Sequence, residues 1–227
     1  MLLGPPVRLY EWKGRSVYFG HSTWSRGVTK VIRSVFAPTY RFKPLPRAQC
    51  SGGLRLRAAK RRGHAIDAAL ARWVAVPTTY KSALHEPAAL IRLFRASGWV
   101  PVAAQLVVAW PAARLATRID LVLYDPSRAV LLVVEIKSGC EHRRIAHGTL
   151  KHLRPALSNA PLYQHQLQAL LGKELLIHTY PKWTPSSVEA VLVYVTATGQ
   201  VELIREADFG LQYSPALETV LLYTARS

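Results

Sequence analysis

Acidic residues are scarce in this chain: 13 Asp and Glu stand against 30 Lys and Arg, a formal charge of +17 with an isoelectric point near 10.4. That imbalance exceeds what solubility needs and points to a polyanionic partner. RNA, heparin-like polymers and anionic lipid would also accept such a surface, so the charge names a partner class and not a reaction. Cysteine is scarcer still. With only Cys50 and Cys140 there is no disulfide framework and no Cys-rich zinc site, and no cysteine completes a zinc set with His142, His147 and His152. A reducing, intracellular compartment fits this usage. Nothing approaches the ~18 uninterrupted apolar residues of a membrane span. The opening residues meet Pro5, Pro6 and then charge, leaving no apolar segment for a signal peptide. The expectation is a protein held where its polyanion is, with no membrane partner.

What is present is a chain of 227 residues, 50% hydrophobic, enough to bury one substantial core. Residues 1–53 mix aromatics, prolines and basic residues and read as a lead-in arm, with a short helix in VTKVIRSVF. Residues 54–227 read as the domain itself, one domain overall. Ile66, Leu70 and Trp73 stand at helical spacing after Gly63, which predicts a helix from about His64 to Val74. EPAALIRLFRAS predicts a second helix, with Pro87 in its first turn and Gly98 as its stop. The texture then turns to strand in VPVAAQLVVAW, TRIDLVLYD and AVLLVVEIKS. DPSR between the last two is a turn signal, so the pair reads as a β-hairpin. Downstream, LSNAPLYQHQLQALLG reads as a loop entering a helix that ends around Gly172 or a turn later, and SVEAVLVYVTATGQVELI as two short strands. The order predicts an α/β fold with a central mixed β-sheet flanked by helices.

The hairpin carries the chemistry. Glu135 and Lys137 alternate with Ile136, so their side chains share one face of a strand, and a tight hairpin sets Asp120 across from them. Two carboxylates and a cation interrupting runs of Val, Leu and Ile are expensive to bury without a task. An exposed hairpin ion pair is the ordinary alternative, and the apolar strands and the extreme positive charge weigh against it. Hard oxygen donors suit Mg²⁺, with Mn²⁺ able to substitute. Asp120, Glu135 and the backbone carbonyl of Ile136 are the expected ligands, and Lys137 the group that positions an attacking water and steadies charge on the phosphoryl oxygens. Arg61 and Arg62 before the hairpin, Arg118 within it, and Arg143, Arg144 and Lys151 after it are expected on DNA phosphates.

The run RIDLVLYDPSRAVLLVVEIKSG resembles the PD-(D/E)XK nucleases, in particular their RecB-like exonuclease branch, over roughly residues 60–205. That pattern is an Asp in a strand, a hairpin, then E-x-K with a small residue and Gly, here Asp120, Glu135, Lys137, Ser138 and Gly139. The resemblance implies a restriction-endonuclease-like core. It also implies a metal-ligating His on an upstream helix, for which RRGHAIDAAL offers His64 after Gly63. A supporting Gln follows the E-x-K strand in that branch. LYQHQLQALLG offers Gln166 for it and Tyr163 as a ring near DNA, while Leu170 stands where a Tyr is expected. Members often carry a Glu in the strand before the Asp; here Gln105 stands there. A neutral amide binds Mg²⁺ more weakly, so a second metal is expected to be absent or loosely held.

The resemblance implies phosphodiester hydrolysis in single- or double-stranded DNA. The expected mode is exonucleolytic, in replication, recombination or repair, beside protein partners of such a complex. A structure-specific endonuclease shares every catalytic residue, and a catalytically inactive DNA-binding module would keep the basic face alone.

Overall fold

The computed structural model of the protein describes residues 8–12, 15–20, 23–32, 51–138, 149–150, 160–181, 187–210 and 215–226. Three short strands come first, β1 (Arg8–Trp12), β2 (Arg15–Gly20) and β3 (Thr23–Gly27), then the one-turn helix α1 (Val28–Val31). Helices α2 (Ser51–Ala75) and α3 (His85–Ala96) lead into β4 (Val100–Trp110), β5 (Leu115–Asp125) and β6 (Val130–Ser138). Helix α4 (Pro161–Thr179), strands β7 (Val188–Val195) and β8 (Val201–Arg205) and helix α5 (Pro215–Arg226) complete the order.

The centre is a mixed sheet in the order β4-β5-β6-β7-β8, antiparallel except for the parallel pair β6 and β7. The α/β class read from the sequence is the class that forms. The β1-β2-β3 meander extends the sheet, with β3 parallel to β5 through Arg26 opposite Leu115. Antiparallel neighbours need only a tight turn, and DPSR supplies it between β5 and β6. There the backbone N–H and the hydroxyl of Ser127 donate to Asp125 Oδ1 at 3.1 and 2.6 Å. The parallel step from β6 to β7 needs a crossover, and α4 lies within that connection.

Each face of the sheet is covered by helices. On one, Ile66, Leu70 and Trp73 of α2 and Leu90 and Phe94 of α3 pack on Leu121, Leu123, Leu132, Val134, Val191 and Val193. On the other, Leu167, Leu170, Leu171 and Leu175 of α4 pack on Ile119, Val122, Val133 and Leu192, joined by Val28 of α1 and Leu217 of α5. Two helices outrun the sequence reading. Helix α2 begins at Ser51 rather than near His64, because a single Gly63 costs only about 1 kcal/mol in a run of strong helix formers. Helix α4 passes Gly172 without a break; a Cβ there would meet Val133 Cγ1 at an ordinary 3.6 Å, so burial against the sheet decides. The expected helix in VTKVIRSVF is described through Ile32 only, and its remaining residues lie outside the described residues.

Leu70 is fully buried where α2 meets the sheet. Leu70→Ala is expected to cost about 2–5 kcal/mol in urea unfolding, and Arg72→Ala on the exposed side of the same helix to change stability by less than about 0.5 kcal/mol. Equal effects would contradict the packing of α2 described above.

Candidate active site

The hairpin does not stay paired to its open end. Between β5 and β6 the last rung is Leu121 opposite Val134. Since β4 runs along one edge of β5 for its whole length, both β6 and β3 must use the other edge. β6 takes the stretch from Leu121 to Asp125, and β3 takes Leu115 and Ala116. The sheet forks at Asp120. At that fork the backbone N–H of Ile136, freed from the ladder, donates to Asp120 Oδ2 at 2.9 Å. A carboxylate has replaced the strand carbonyl as the partner of a backbone donor, satisfying a group that would otherwise be costly.

The opposite edge is irregular at the same level. The β4–β5 register passes from Ala104 opposite Leu121 to Leu106 opposite Ile119, skipping the rung of Gln105 and Asp120. Gln105 has φ 53°, a left-handed backbone that a side-chain-bearing residue rarely adopts. The alternation of faces slips here: Ile119 and Val122 belong to the α4 side, Leu121 and Leu123 to the α2 side.

Glu135 and Lys137 share the α4 side with Leu131 and Val133, as the alternation requires. Glu135 is 6% exposed and forms an ion pair with Lys137 Nζ. That ammonium also donates to Gln168 Oε1 at 3.1 Å, from the first half of α4. Beside Lys137 in the parallel rung stands Tyr194, whose hydroxyl lies 2.9 Å from His165 Nδ1. Burial pushes the carboxyl of Glu135 up to about 7, the charge of Asp120 adds to the rise, and Lys137 opposes it. Asp120 is likewise raised by burial, against the favourable pull of Lys137, the Ile136 N–H, Arg118 and Gln105.

A third carboxylate belongs to this group. Asp67 on α2 is raised to about 6, by burial first and by the Asp120 charge second, and it feels Arg118, His64 and Lys137 as well. The sequence reading passed over it. The signal was available: Asp67 is the one acidic residue in a 25-residue helix that carries six Arg and Lys, and it directly follows the buried Ile66.

The other expected residues divide. Arg118 is exposed and favours the charged forms of both Asp120 and Asp67, which places it at the fork. Ile136 is there through its N–H. Ser138 ends β6 opposite Val195, two residues past Ile136. His64 is exposed, one helical turn before Asp67 and within its electrostatic reach. Gln166 is 2% exposed and its Oε1 meets no partner; the glutamine that holds Lys137 is Gln168. Tyr163 is half-buried on α4, where a Cβ on Gly210 would come within 2.9 Å of its ring, so the ring packs on backbone. Arg61 is exposed and Arg62 half-buried on α2. Arg143, Arg144 and Lys151, like Cys50, Cys140, His142, His147 and His152, lie outside the described residues.

As donors, Asp67, Asp120, Glu135 and the carbonyl of Ile136 suit a hard divalent cation in kind. Among the described residues no three His, Cys, Asp or Glu side chains are gathered as ligands, and Glu135 is turned onto Lys137. What fits the ion is the electrostatics. Burial raises all three carboxyls and the charge of Asp120 raises Asp67 and Glu135 further, and a divalent charge beside them would reverse that.

A carboxyl held above its ordinary value keeps its proton in the folded protein after the unfolded chain has lost it. Stability therefore falls as pH climbs from the unfolded value of Asp67, 3.8, through about 6, and stays lower above. In EDTA, Asp67→Asn is expected to raise the midpoint of thermal unfolding at around pH 8 and to leave it unchanged at around pH 4. A difference of the same size at both pH values would contradict a desolvated Asp67.

Among family models and curated proteins, none matches the chain.

Proposed function

We propose that this chain is a divalent-metal-dependent nuclease acting on DNA. The observation that carries the reading is the pair of desolvated carboxyls Asp120 and Glu135 at the sheet fork, with Lys137 ion-paired to Glu135 and Asp67 within their electrostatic reach, in a chain of net charge +17. The resemblance of the hairpin to PD-(D/E)XK nucleases of the RecB-like branch supports the same reading independently of the electrostatics. Asp120, Glu135 and the Ile136 carbonyl are the proposed ligands of Mg²⁺ or Mn²⁺. His64 remains the expected ligand from α2, with Asp67 one helical turn further along as a second candidate donor. The ion, when bound, polarises the scissile phosphate and lowers the pKa of an attacking water.

The chain's own groups divide the remaining work. With Glu135 as a ligand of the ion, Lys137, held by Gln168, would direct its ammonium to the attacking water and the phosphoryl oxygens. Arg118, exposed at the rim of the site, holds a phosphate and orients the strand. Lys60 and Arg61, exposed on α2, extend the phosphate contacts away from the fork. Among the described residues no helix is long and apolar enough to cross a membrane.

End-labelled linear DNA and closed circular DNA, incubated with Mg²⁺, Mn²⁺ or EDTA, test the reading. Wild type is expected to cleave linear DNA in either metal and not in EDTA, with Asp120→Ala and Lys137→Ala each slower by on the order of 10³-fold. Attack on linear DNA alone selects the exonuclease mode, and attack on the circle an endonuclease. Cleavage that survives both substitutions removes the site assignment; none in any metal leaves a DNA-binding module.

A further inference from the structure

Gln105 stands out at the fork because it costs stability twice. Its backbone is left-handed at φ 53°, in the interior of a strand, where no turn requires it. Its amide nitrogen and oxygen are both shut off from solvent; the amide reaches the Asp120 carboxylate and favours its ionised form, while the amide oxygen meets no donor. Buried amides are almost always partnered, so an orphan beside a reactive group marks a place for something that arrives later. The direction of the side chain is set by its neighbour: Gln105 faces the missing rung of Asp120 and favours the ionised form of that carboxyl. Asp120 Oδ2 accepts from the Ile136 N–H, and the Gln105 amide approaches the same carboxylate from the β4 side.

A second cation is the obvious occupant for a position that resembles one holding Glu in related nucleases, and the local charge argues against it. Asp67, Asp120 and Glu135 bring three negative charges against the two positive charges of Lys137 and Arg118, so a single divalent ion already more than neutralises the site. A neutral amide adds donors and acceptors without adding charge. A hard ion such as Mg²⁺ keeps several of its waters, and those waters need hydrogen-bond partners.

Resting on the metal-dependent reading given above, we propose that the Gln105 amide binds a water in the coordination shell of a single divalent cation held at Asp120. Gln105 is thus a positioning residue, acting on the ion through its water. The strained rung turns the amide toward Asp120, and a donor for its oxygen is supplied when the hydrated ion is in place.

Calorimetric titration of the full chain with Mn²⁺, together with thermal unfolding in EDTA, tests this without relying on turnover. Wild type is expected to take up one Mn²⁺ per chain. Gln105→Met, which keeps the length of the side chain and removes its polar atoms, is expected to bind Mn²⁺ about 10- to 100-fold more weakly. Its unfolding midpoint in EDTA should rise by about 2–4 °C, because the orphaned amide oxygen is gone. Gln105→Gly should also raise that midpoint by relieving the left-handed backbone, and should weaken Mn²⁺ to the same degree as Gln105→Met. Uptake of two Mn²⁺ per chain overturns the proposal, as does Gln105→Met with wild-type affinity or with a lowered midpoint in EDTA. Wild type that binds no Mn²⁺ removes the metal-dependent reading itself, and the role of Gln105 with it.

Discussion

The structure depends on one electrostatic constraint: Asp67, Asp120 and Glu135 are withdrawn from water close to one another in a protein that is otherwise strongly basic. Burial is the largest cause of the rise in each, and the charge of Asp120 adds to the rise in both Asp67 and Glu135. Such an arrangement opposes folding at neutral pH. It persists because the surroundings over-determine it: helices cover both faces of the sheet, and the fork fixes where the strands part. Lys137, Arg118 and the Ile136 N–H offset part of the repulsion.

The fork is the geometric half of the same constraint. In a continuous hairpin, Ile136 would donate to a strand carbonyl, and Asp120 would be one more alternating residue. Because β3 occupies the first part of the β5 edge, β6 must diverge, and its free donor is taken up by the carboxylate. The irregular rung at Gln105 faces the same residue from β4. Asp120 is thus held by an N–H from one side and approached by the Gln105 amide from the other. It sits on the sheet itself, the most rigid support the fold offers.

The legible part of this was local. Period-two alternation placed Glu135 and Lys137 on one face, DPSR closed the hairpin, and the bounds of β4 follow VPVAAQLVVAW, all from residues adjacent in sequence. Where tertiary burial competes with propensity, the reading stopped short. Gly63 reads as a helix limit, and Gly172 as an end reached there or a turn later, and both lie inside helices that burial extends. Asp67 was illegible for a different reason: periodicity locates the buried stripe of α2, and it does not say which residue at its margin reaches the fork. His64 resembled a family position, yet the turn that follows it carries the carboxylate. Periodicity likewise does not say which glutamine of α4 reaches Lys137, and the one that does is Gln168. The left-handed backbone of Gln105 depends on pairing across two strands and leaves no mark in composition. Helix α5 was not anticipated, although Leu217 and Val220 stand at helical spacing and are buried.

The most direct test of the central claim is a ¹³C carboxyl titration by NMR, following Asp67, Asp120 and Glu135 with and without Mg²⁺. The account predicts that in the metal-free protein Asp67 titrates near 6 and Glu135 near 7, with Asp120 also above its ordinary value. Saturating Mg²⁺ should bring all three down together, below about 4. Three carboxyls that titrate in the ordinary range and do not respond to Mg²⁺ would contradict it.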